Sequence, residues 1–197
     1  MIDSKKSTRI VAIRHGETAW NVATRIQGHL DIALNEAGRG PAQRLAHALA
    51  DEALDAIYTS DLRRAHETAL ALVRPGRPPV ALDHGLRERA FGEFEGFTWA
   101  EIETRWPEGC ARWRQRDIDF APAGGESLRQ FYARCIEAVT RLAAAHLGQT
   151  IALVAHGGVM DCRYRAATRV SLQAPRSWPL GNASINRLRS LYTAGVP

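Results

Sequence analysis

The clearest candidate for chemistry in this sequence is an arginine followed directly by a histidine, within the segment IRHGETAWN (13–21). The guanidinium of Arg14 would repel a metal cation, so the pair is a poor metal site. The same pair suits an anion, which Arg14 could hold while a neutral imidazole nitrogen of His15 attacks it. A phosphate ester is the anion that fits this chemistry.

Cleavage of a phosphomonoester also needs further cations on the phosphoryl oxygens, a group that stabilises the developing charge, and an acid for the leaving oxygen. Arg64, in the segment SDLRRA (60–65), is the candidate for a second bidentate clamp. His156, followed by two glycines, is the candidate for charge stabilisation. Glu88 lies near other carboxylates, and under a lid we expect it to keep a proton for the leaving group.

Each of these residues also has an ordinary structural interpretation, since a histidine followed by glycine is more often a turn residue than a nucleophile. The combination of two His-Gly pairs, one preceded by arginine, with an arginine-bearing helix start favours chemistry. Arg63 is predicted to be a solvated or salt-bridged helix residue. The other histidines are predicted to be surface or core residues, with His29 the least certain because it follows QG near the first motif; the rest are His47, His66, His84 and His146.

The elements that must position these residues alternate between strands and helices. Short apolar and β-branched runs predict strands at 8–14, 55–59, 80–82, 150–155 and 185–191. This alternation favours a mostly parallel sheet covered on both faces. Ligands of such sheets bind outside the carboxyl ends of the strands, where RHG, SDLRRA and AHGG would meet.

Three local features of the predicted helices bear on the site. The helix expected over 35–52 has glycines and Pro41 in its first turns, so we expect it to start late or bend. Ser60 is predicted to cap the helix that carries the arginine pair. The segment 97–126, here called the insert, contains the capping-box pattern TWAE (98–101) and is predicted to hold short helices and form a lid. Its tryptophans are predicted mainly to pack within the insert.

Composition limits the function classes. A chain of 197 residues with 45% hydrophobic and 24% charged residues fits a single domain over 1–197. No apolar run suits a signal peptide or a membrane span, so we expect a cytoplasmic protein with no membrane partner. The net charge of +5 comes with scattered arginines rather than a long basic run, which argues against nucleic acid. The cysteines have no CxxC pair and predict reduced, mostly buried thiols; they are Cys110, Cys135 and Cys162.

The ordered motifs RHGETAWN, QGHLDIALNEAG, YTSDLRRAHETA, LRERAFGEFEG, GGES and VAHGG resemble the histidine phosphatase superfamily, in the branch of cofactor-dependent phosphoglycerate mutases and their phosphatase relatives. The resemblance extends from residue 10 to about residue 188. It implies a three-layer α/β/α sandwich with a phosphoglycerate mutase-like fold, and a phosphohistidine intermediate.

Carried over residue by residue, the resemblance implies that His15 is the nucleophile and Glu88 the proton donor. It places the phosphate pocket around Arg14, Arg64 and His156. It also implies further phosphate-binding or rim residues, which are Asn21, Gln27, Gly28 and Gly157.

The insert is shorter than the corresponding segment of the mutases that the chain resembles, and it lacks their arginine pair followed by a proline-rich run. A short lid favours water as the phosphoryl acceptor. We therefore predict a metal-independent phosphomonoesterase without a cofactor, acting on small phosphorylated metabolites. The resemblance leaves phosphoglycerates, phosphorylated sugars and nucleoside-like phosphates such as α-ribazole phosphate open as substrates.

Two other functions stay open. A cofactor-dependent phosphoglycerate mutase would return the phosphoryl group to a bound sugar acid. A catalytically silent phosphate-binding module would need only the cationic groups, and the full set of nucleophile, proton donor and second histidine argues against it. The sequence does not decide whether the protein forms a homodimer.

Overall fold

The computed structural model describes residues 7–191, in which five strands and seven α-helices alternate along most of the chain. The strands are β1 (Ser7–Arg14), β2 (Ala56–Thr59), β3 (Val80–Leu82), β4 (Thr150–Ala155) and β5 (Ile185–Leu191). The helices are α1 (Ala19–Val22), α2 (Glu36–Ala48), α3 (Arg63–Leu70), α4 (Trp99–Arg105), α5 (Pro107–Arg114), α6 (Leu128–Ala144) and α7 (Gly157–Thr168). All five predicted strands are confirmed. None of the helices between residues 7 and 191 has the length and apolar character that crossing a membrane requires.

The strands form one sheet in the order β3-β2-β4-β1-β5, parallel except for β5, which runs antiparallel to β1. Successive side chains of β1 point to opposite faces. Ile10 and Ala12 lie in one buried cluster, and Val11 and Ile13 lie in another. Because both faces of the central strands are apolar, the sheet must be covered on both sides.

Helices from different parts of the chain provide this cover. On one face, Phe131 and Val139 of α6 and Val159 of α7 join the buried cluster. On the other face, Leu45 of α2 and Ala65 of α3 do the same. The result is the predicted α/β/α layering with a mostly parallel sheet.

The start of α2 corrects one expectation. The helix begins at Glu36 although Pro41 lies inside it, so the expected late start is wrong, and the alternative, a bend at Pro41, stays a prediction. Asn35 caps the helix by accepting the Gly38 N–H at 2.7 Å, and its side-chain amide donates to Glu17 at 2.8 Å. A side chain at Gly38 would collide with the Glu17 backbone, since its Cβ would lie 2.2 Å from the carbonyl oxygen. The glycine therefore allows close packing here, and the cap offsets the poor helix propensity of the first turns.

The start of α3 corrects another expectation. Its N-cap residue is Leu62, which makes no side-chain cap, so Ser60 is not the helix cap. The Ser60 hydroxyl instead accepts the Leu62 N–H at 3.2 Å, in the turn before the helix. The Asp31 carboxylate, from a distant loop, accepts the N–H of Arg63 at 2.6 Å. A tertiary contact thus satisfies a group that a local cap usually satisfies.

The insert folds into the two short helices α4 and α5, and the predicted capping box between Thr98 and Glu101 is confirmed. Phe94, Ile102 and Cys110 form a small core of their own beneath several aromatic rings. The three cysteines of the described chain are free and buried, as predicted.

Candidate active site

Two buried histidines lie side by side at the carboxyl ends of the two central strands. The β1–β4 register pairs Arg14 with Ala155, so the next residues, His15 and His156, leave the sheet together. The His15 N–H donates to the Ala155 carbonyl at 2.9 Å. The two ring centroids are 5.2 Å apart, and the side chains are nearly inaccessible to solvent. Parallel strand pairing thus places in contact two residues that are 141 positions apart in the sequence.

The hydrogen bond of His15 fixes its tautomer. Nδ1 lies 2.7 Å from the carbonyl oxygen of Gly16. A carbonyl only accepts, so Nδ1 carries the hydrogen and Nε2 of the neutral ring keeps its lone pair. Burial holds the pKa of His15 well below its usual value, and the charges of Arg64 and Arg14 lower it further. His15 is therefore a neutral imidazole with a nucleophilic Nε2.

His156 has no hydrogen-bond partner on either ring nitrogen among residues 7–191. Burial lowers its pKa well below the usual value, followed by the charges of Arg64, His15 and Arg14. A fully buried imidazole without a partner is costly unless a ligand satisfies it. Its position beside His15 suits an N–H donor to an oxygen of the reacting group.

Two arginines flank the histidines, of which Arg64 is buried and Arg14 is half-buried. Arg64, only 1% exposed, donates to the carbonyls of Leu30 at 3.0 Å and Gly28 at 2.7 Å. Arg14 donates to the carbonyl of Leu180. In each side chain the buried Nε has no partner within the described part of the chain. Burial lowers the pKa of Arg64 to about 10, so it stays charged at neutral pH. The pair can therefore bind an anion.

The Glu88 carboxylate lies against the start of α7, the helix that follows His156. One carboxylate oxygen accepts the N–H of Arg89 at 2.9 Å, and the other accepts the N–H of Gly158 at 3.1 Å. A Cβ at position 158 would lie 2.1 Å from the carboxylate, so only glycine allows this approach. The charge of Glu88 also acts on both Arg14 and Arg64. The structure therefore brings the five predicted catalytic residues into one cluster.

Of the predicted rim residues, Asn21 and Gln27 contact Thr18, while Gly28 and Gly157 contact the two arginines of the cluster. Asn21 and Gln27 both accept hydrogen bonds from Thr18, at 3.0 to 3.1 Å. Gly28 supplies the carbonyl that accepts from Arg64. Gly157 begins α7 against the Arg14 guanidinium, where a Cβ would lie 3.4 Å from Nε. Direct phosphate contact by these residues stays a prediction.

A cavity of about 440 Å³ opens beside the cluster. Arg14, Glu88, Gly157 and Gly158 line one end. The insert contributes Trp99, Trp113, Arg116 and Asp117 to the rest of the wall. Other wall residues are Phe91, which precedes the insert, Asp161 of α7, and Arg176 in the segment after α7. The insert therefore covers one side of the cavity, and two of its tryptophans line it while also packing on each other, with centroids 5.6 Å apart.

Sequence reasoning missed several residues around the cluster. Arg116 and Arg176 line the cavity, but nothing in their spacing marks them. The amide of Asn182 donates to the carbonyls of His15 and Gly16 at 3.2 Å, although no motif includes it. For His29, the sequence signal of a role near the site is weak and consists of its position directly after QG. Arg63 was interpreted correctly, since it is exposed and paired with Glu67 at 2.7 Å.

The lowered pKa values of the two histidines predict a pH-dependent stability. Below the usual histidine pKa of 6.5, His15 and His156 bind protons in the unfolded chain but stay neutral in the folded protein. The free energy of unfolding should be highest above that pH and should fall by up to about 1.4 kcal/mol per pH unit for each histidine as the pH drops towards their folded pKa values. Urea denaturation between about pH 7.5 and 5.5, without phosphate, measures this slope.

A variant isolates the contribution of one histidine. His156→Gln should show a shallower slope, because it removes one of the two groups, whereas His84→Ala, at an exposed site, should keep the full slope. Identical slopes in the wild type and His156→Gln would contradict the prediction.

Comparisons with known proteins show which family and fold this chain resembles. Residues 10–194 match the family model of the histidine phosphatase superfamily (branch 1). Phosphoglycerate mutase-like protein 4 of Arabidopsis thaliana is 40% identical over 184 residues, covering 91% of this chain and 78% of the relative. A metal-independent phosphoserine phosphatase of the same plant is 38% identical, covering 91% and 75%. The solved structure of a mycobacterial glucosyl-3-phosphoglycerate phosphatase in complex with VO3 is 36% identical, with a TM-score of 0.80 and coverage of 91% and 90%.

Proposed function

This chain belongs to the histidine phosphatase superfamily and is a phosphatase that hydrolyses phosphate monoesters; we propose that it does so through a phosphohistidine on His15. The observation that carries the proposal is the state of His15. It is buried and neutral, its Nδ1–H is fixed on the Gly16 carbonyl, and its Nε2 lies among cationic groups. A histidine that attacks phosphorus needs a neutral ring with a free lone pair close to the groups that hold the phosphate.

The first step transfers the phosphoryl group to the protein. His15 Nε2 attacks phosphorus while the bond from phosphorus to the ester oxygen breaks. Arg14, Arg64 and His156 donate to the phosphoryl oxygens and stabilise their charge. This step requires Glu88 in its protonated form. Glu88 gives that proton to the departing oxygen, so the products are an alcohol, phosphohistidine and a Glu88 carboxylate.

The second step restores the protein. The Glu88 carboxylate takes a proton from a water molecule, which attacks phosphorus as the bond to His15 Nε2 breaks. Inorganic phosphate leaves, His15 becomes neutral again, and Glu88 carries the proton for the next cycle. No metal ion is required in either step, because the arginines supply the positive charge.

The cavity supports a substrate class as well. Asp161 pairs with both Arg116, at 3.5 Å, and Arg165, at 2.9 Å. Burial lowers the pKa of Arg116, and the charges of Arg165 and the exposed Arg176 lower it further. The wall beyond the phosphate site carries three arginines, Arg89, Arg116 and Arg176, against two aspartates, Asp117 and Asp161, so positive charge exceeds negative charge there. We propose small phosphomonoesters that carry a second anionic group, such as a carboxylate. Two of the relatives are named for phosphoserine and glucosyl-3-phosphoglycerate, which are of this kind.

Release of inorganic phosphate from a panel of phosphomonoesters, with excess chelator, tests the proposal. The panel pairs carboxylate-bearing alkyl phosphates, such as phosphoserine and 3-phosphoglycerate, with neutral ones such as glycerol phosphate. We expect chelator-resistant hydrolysis and a higher kcat/KM for the carboxylate-bearing members. A parallel assay follows isomerisation of 3-phosphoglycerate primed with 2,3-bisphosphoglycerate.

The other outcomes are distinct. Fast isomerisation with little phosphate release would identify a mutase despite the short insert. Phosphate binding without any turnover would identify a silent binding module. Equal activity on charged and neutral alkyl phosphates would refute the proposed substrate class and leave the phosphatase reaction intact.

A further inference from the structure

His29 lies in the loop between α1 and α2, and its side chain contacts the backbone of Glu88. Its Nε2 lies 2.8 Å from the Glu88 carbonyl oxygen. Since a carbonyl only accepts, His29 carries its hydrogen on Nε2 and donates it. The bond spans 59 residues of sequence.

The same loop also contacts Arg64, one of the two arginines proposed to bind the phosphoryl group. Gly28 offers its carbonyl to Arg64 at 2.7 Å, and the N–H of His29 donates to the carboxylate of Glu95 at 2.9 Å. That Glu95 oxygen also accepts the N–H of Phe91, three residues after Glu88. Gly28 has φ +51, and a Cβ there would lie 2.0 Å from Glu95. The pair Gly28–His29 is therefore a tightly packed bridge between the clamp and the segment that carries the proton donor.

The carbonyl group of Glu88 accepts hydrogen bonds from two side chains, and His29 provides one of them. On the other side, Arg134 of α6 donates to the same carbonyl at 3.1 Å and is itself held by Glu126 at 2.7 Å. The carboxylate beyond it is held by two backbone N–H groups, those of Arg89 and Gly158. Loss of the His29 bond would let the backbone at Glu88 move towards α6 and shift the carboxyl group relative to the leaving oxygen.

We propose that His29 is a positioning residue that holds the proton donor Glu88 at the leaving group; this proposal rests on the proposed function. A general acid matters in proportion to how poor the leaving group is. Misplacement of Glu88 should therefore slow the release of an alkoxide and leave the release of 4-nitrophenolate, which departs without a proton, almost unchanged. Loss of fold stability alone would slow both reactions equally.

The experiment measures kcat/KM for phosphoserine and for 4-nitrophenyl phosphate, because kcat/KM reports the phosphoryl-transfer step and not the later attack of water. His29→Ala should lower the value for phosphoserine by about tenfold or more and that for 4-nitrophenyl phosphate by less than about threefold. His29→Gln, whose amide N–H can replace Nε2–H, should recover most of the loss. His29→Phe fills the ring volume without a donor and should behave like His29→Ala. His47→Ala, at an exposed site on α2, is the matched control.

Glu88→Gln separates this proposal from the proposed function. Glu88→Gln should itself lose far more activity on phosphoserine than on 4-nitrophenyl phosphate, and His29→Ala should add little to it. If Glu88→Gln shows no such difference, the proposed acid is wrong and the proposed function needs revision. If Glu88→Gln behaves as expected but the His29 variants lose both activities equally, or lose neither, the positioning role is refuted.

Discussion

Replacing His15 with alanine is expected to abolish phosphatase turnover, with a loss in kcat of at least about 10⁴-fold. The reason is that no other described side chain in the cluster offers a neutral, fixed nucleophile. His156 is equally buried and lacks the hydrogen bond that fixes the tautomer of His15. The measurement is steady-state release of phosphate from the best substrate of the panel.

A covalent trap makes this test specific. Wild-type protein quenched in alkaline detergent should carry labelled phosphate in an alkali-stable, acid-labile linkage, and His15→Ala should carry none. The variant should keep a cooperative thermal transition, because strand pairing and the two apolar clusters do not depend on the imidazole. His84→Ala, whose side chain is 77% exposed, is the control and should keep full activity and labelling. Substantial turnover by a folded His15→Ala variant would rule out the phosphohistidine mechanism.

Replacing Arg64 with lysine is expected to lower kcat/KM by about 10²- to 10³-fold, although the charge is kept. The guanidinium donates to the carbonyls of Leu30 and Gly28 with its two terminal nitrogens and still has its Nε–H available. An ammonium group on a single stem cannot make these bonds and also reach the phosphoryl group. The measurement is kcat/KM on phosphoserine together with the inhibition constant of inorganic phosphate.

The neighbouring arginine is the matched control. Arg63 is in the same helical turn, but its side chain is 61% exposed and pairs with Glu67. Arg63→Lys should therefore stay within about twofold of the wild type, since exposed ion pairs contribute little. Equal losses in the two variants would mean that general positive charge at the helix start, and not a shaped clamp, binds the substrate.

The fold could be predicted because strand signals in this chain are local. The runs at β1 and β4 are short, apolar and end at His-Gly, and the alternation of elements implies a parallel sheet. The rule that ligands bind at the carboxyl ends of strands then brought together His15, Arg64 and His156 without any knowledge of distance. The clustering of His15 and His156 follows from the β1–β4 register, and Arg64 joins them because β2, the strand before α3, pairs with β4 on its other side.

What could not be predicted depends on tertiary contacts. The Asp31 carboxylate, from a distant loop, accepts the N–H of Arg63 at the start of α3. The Asn35 cap and the close packing at Gly38 allow α2 to begin before Pro41. The Asp31 contact has no sequence signal of its own, and the N-cap signal of Asn35 is opposed by the glycines and Pro41 that follow it. Asn182 and Arg116 reach the site from loops and a helix end, whose paths do not follow from periodicity. Residues of this kind decide the shape of the cavity and hence the substrate.

The position of β1 in the sheet has a consequence for the synthesis of the chain. β1 is formed by residues near the start, yet both of its neighbours, β4 and β5, come from residue 150 onwards. While the ribosome is making the protein, the strand that carries Arg14 has no neighbouring strand until residues from 150 onwards have emerged. Contacts of such long separation form slowly. The nucleophile therefore becomes reactive only after β4 has been made, and a nascent or truncated product that lacks β4 should not react with phosphate esters.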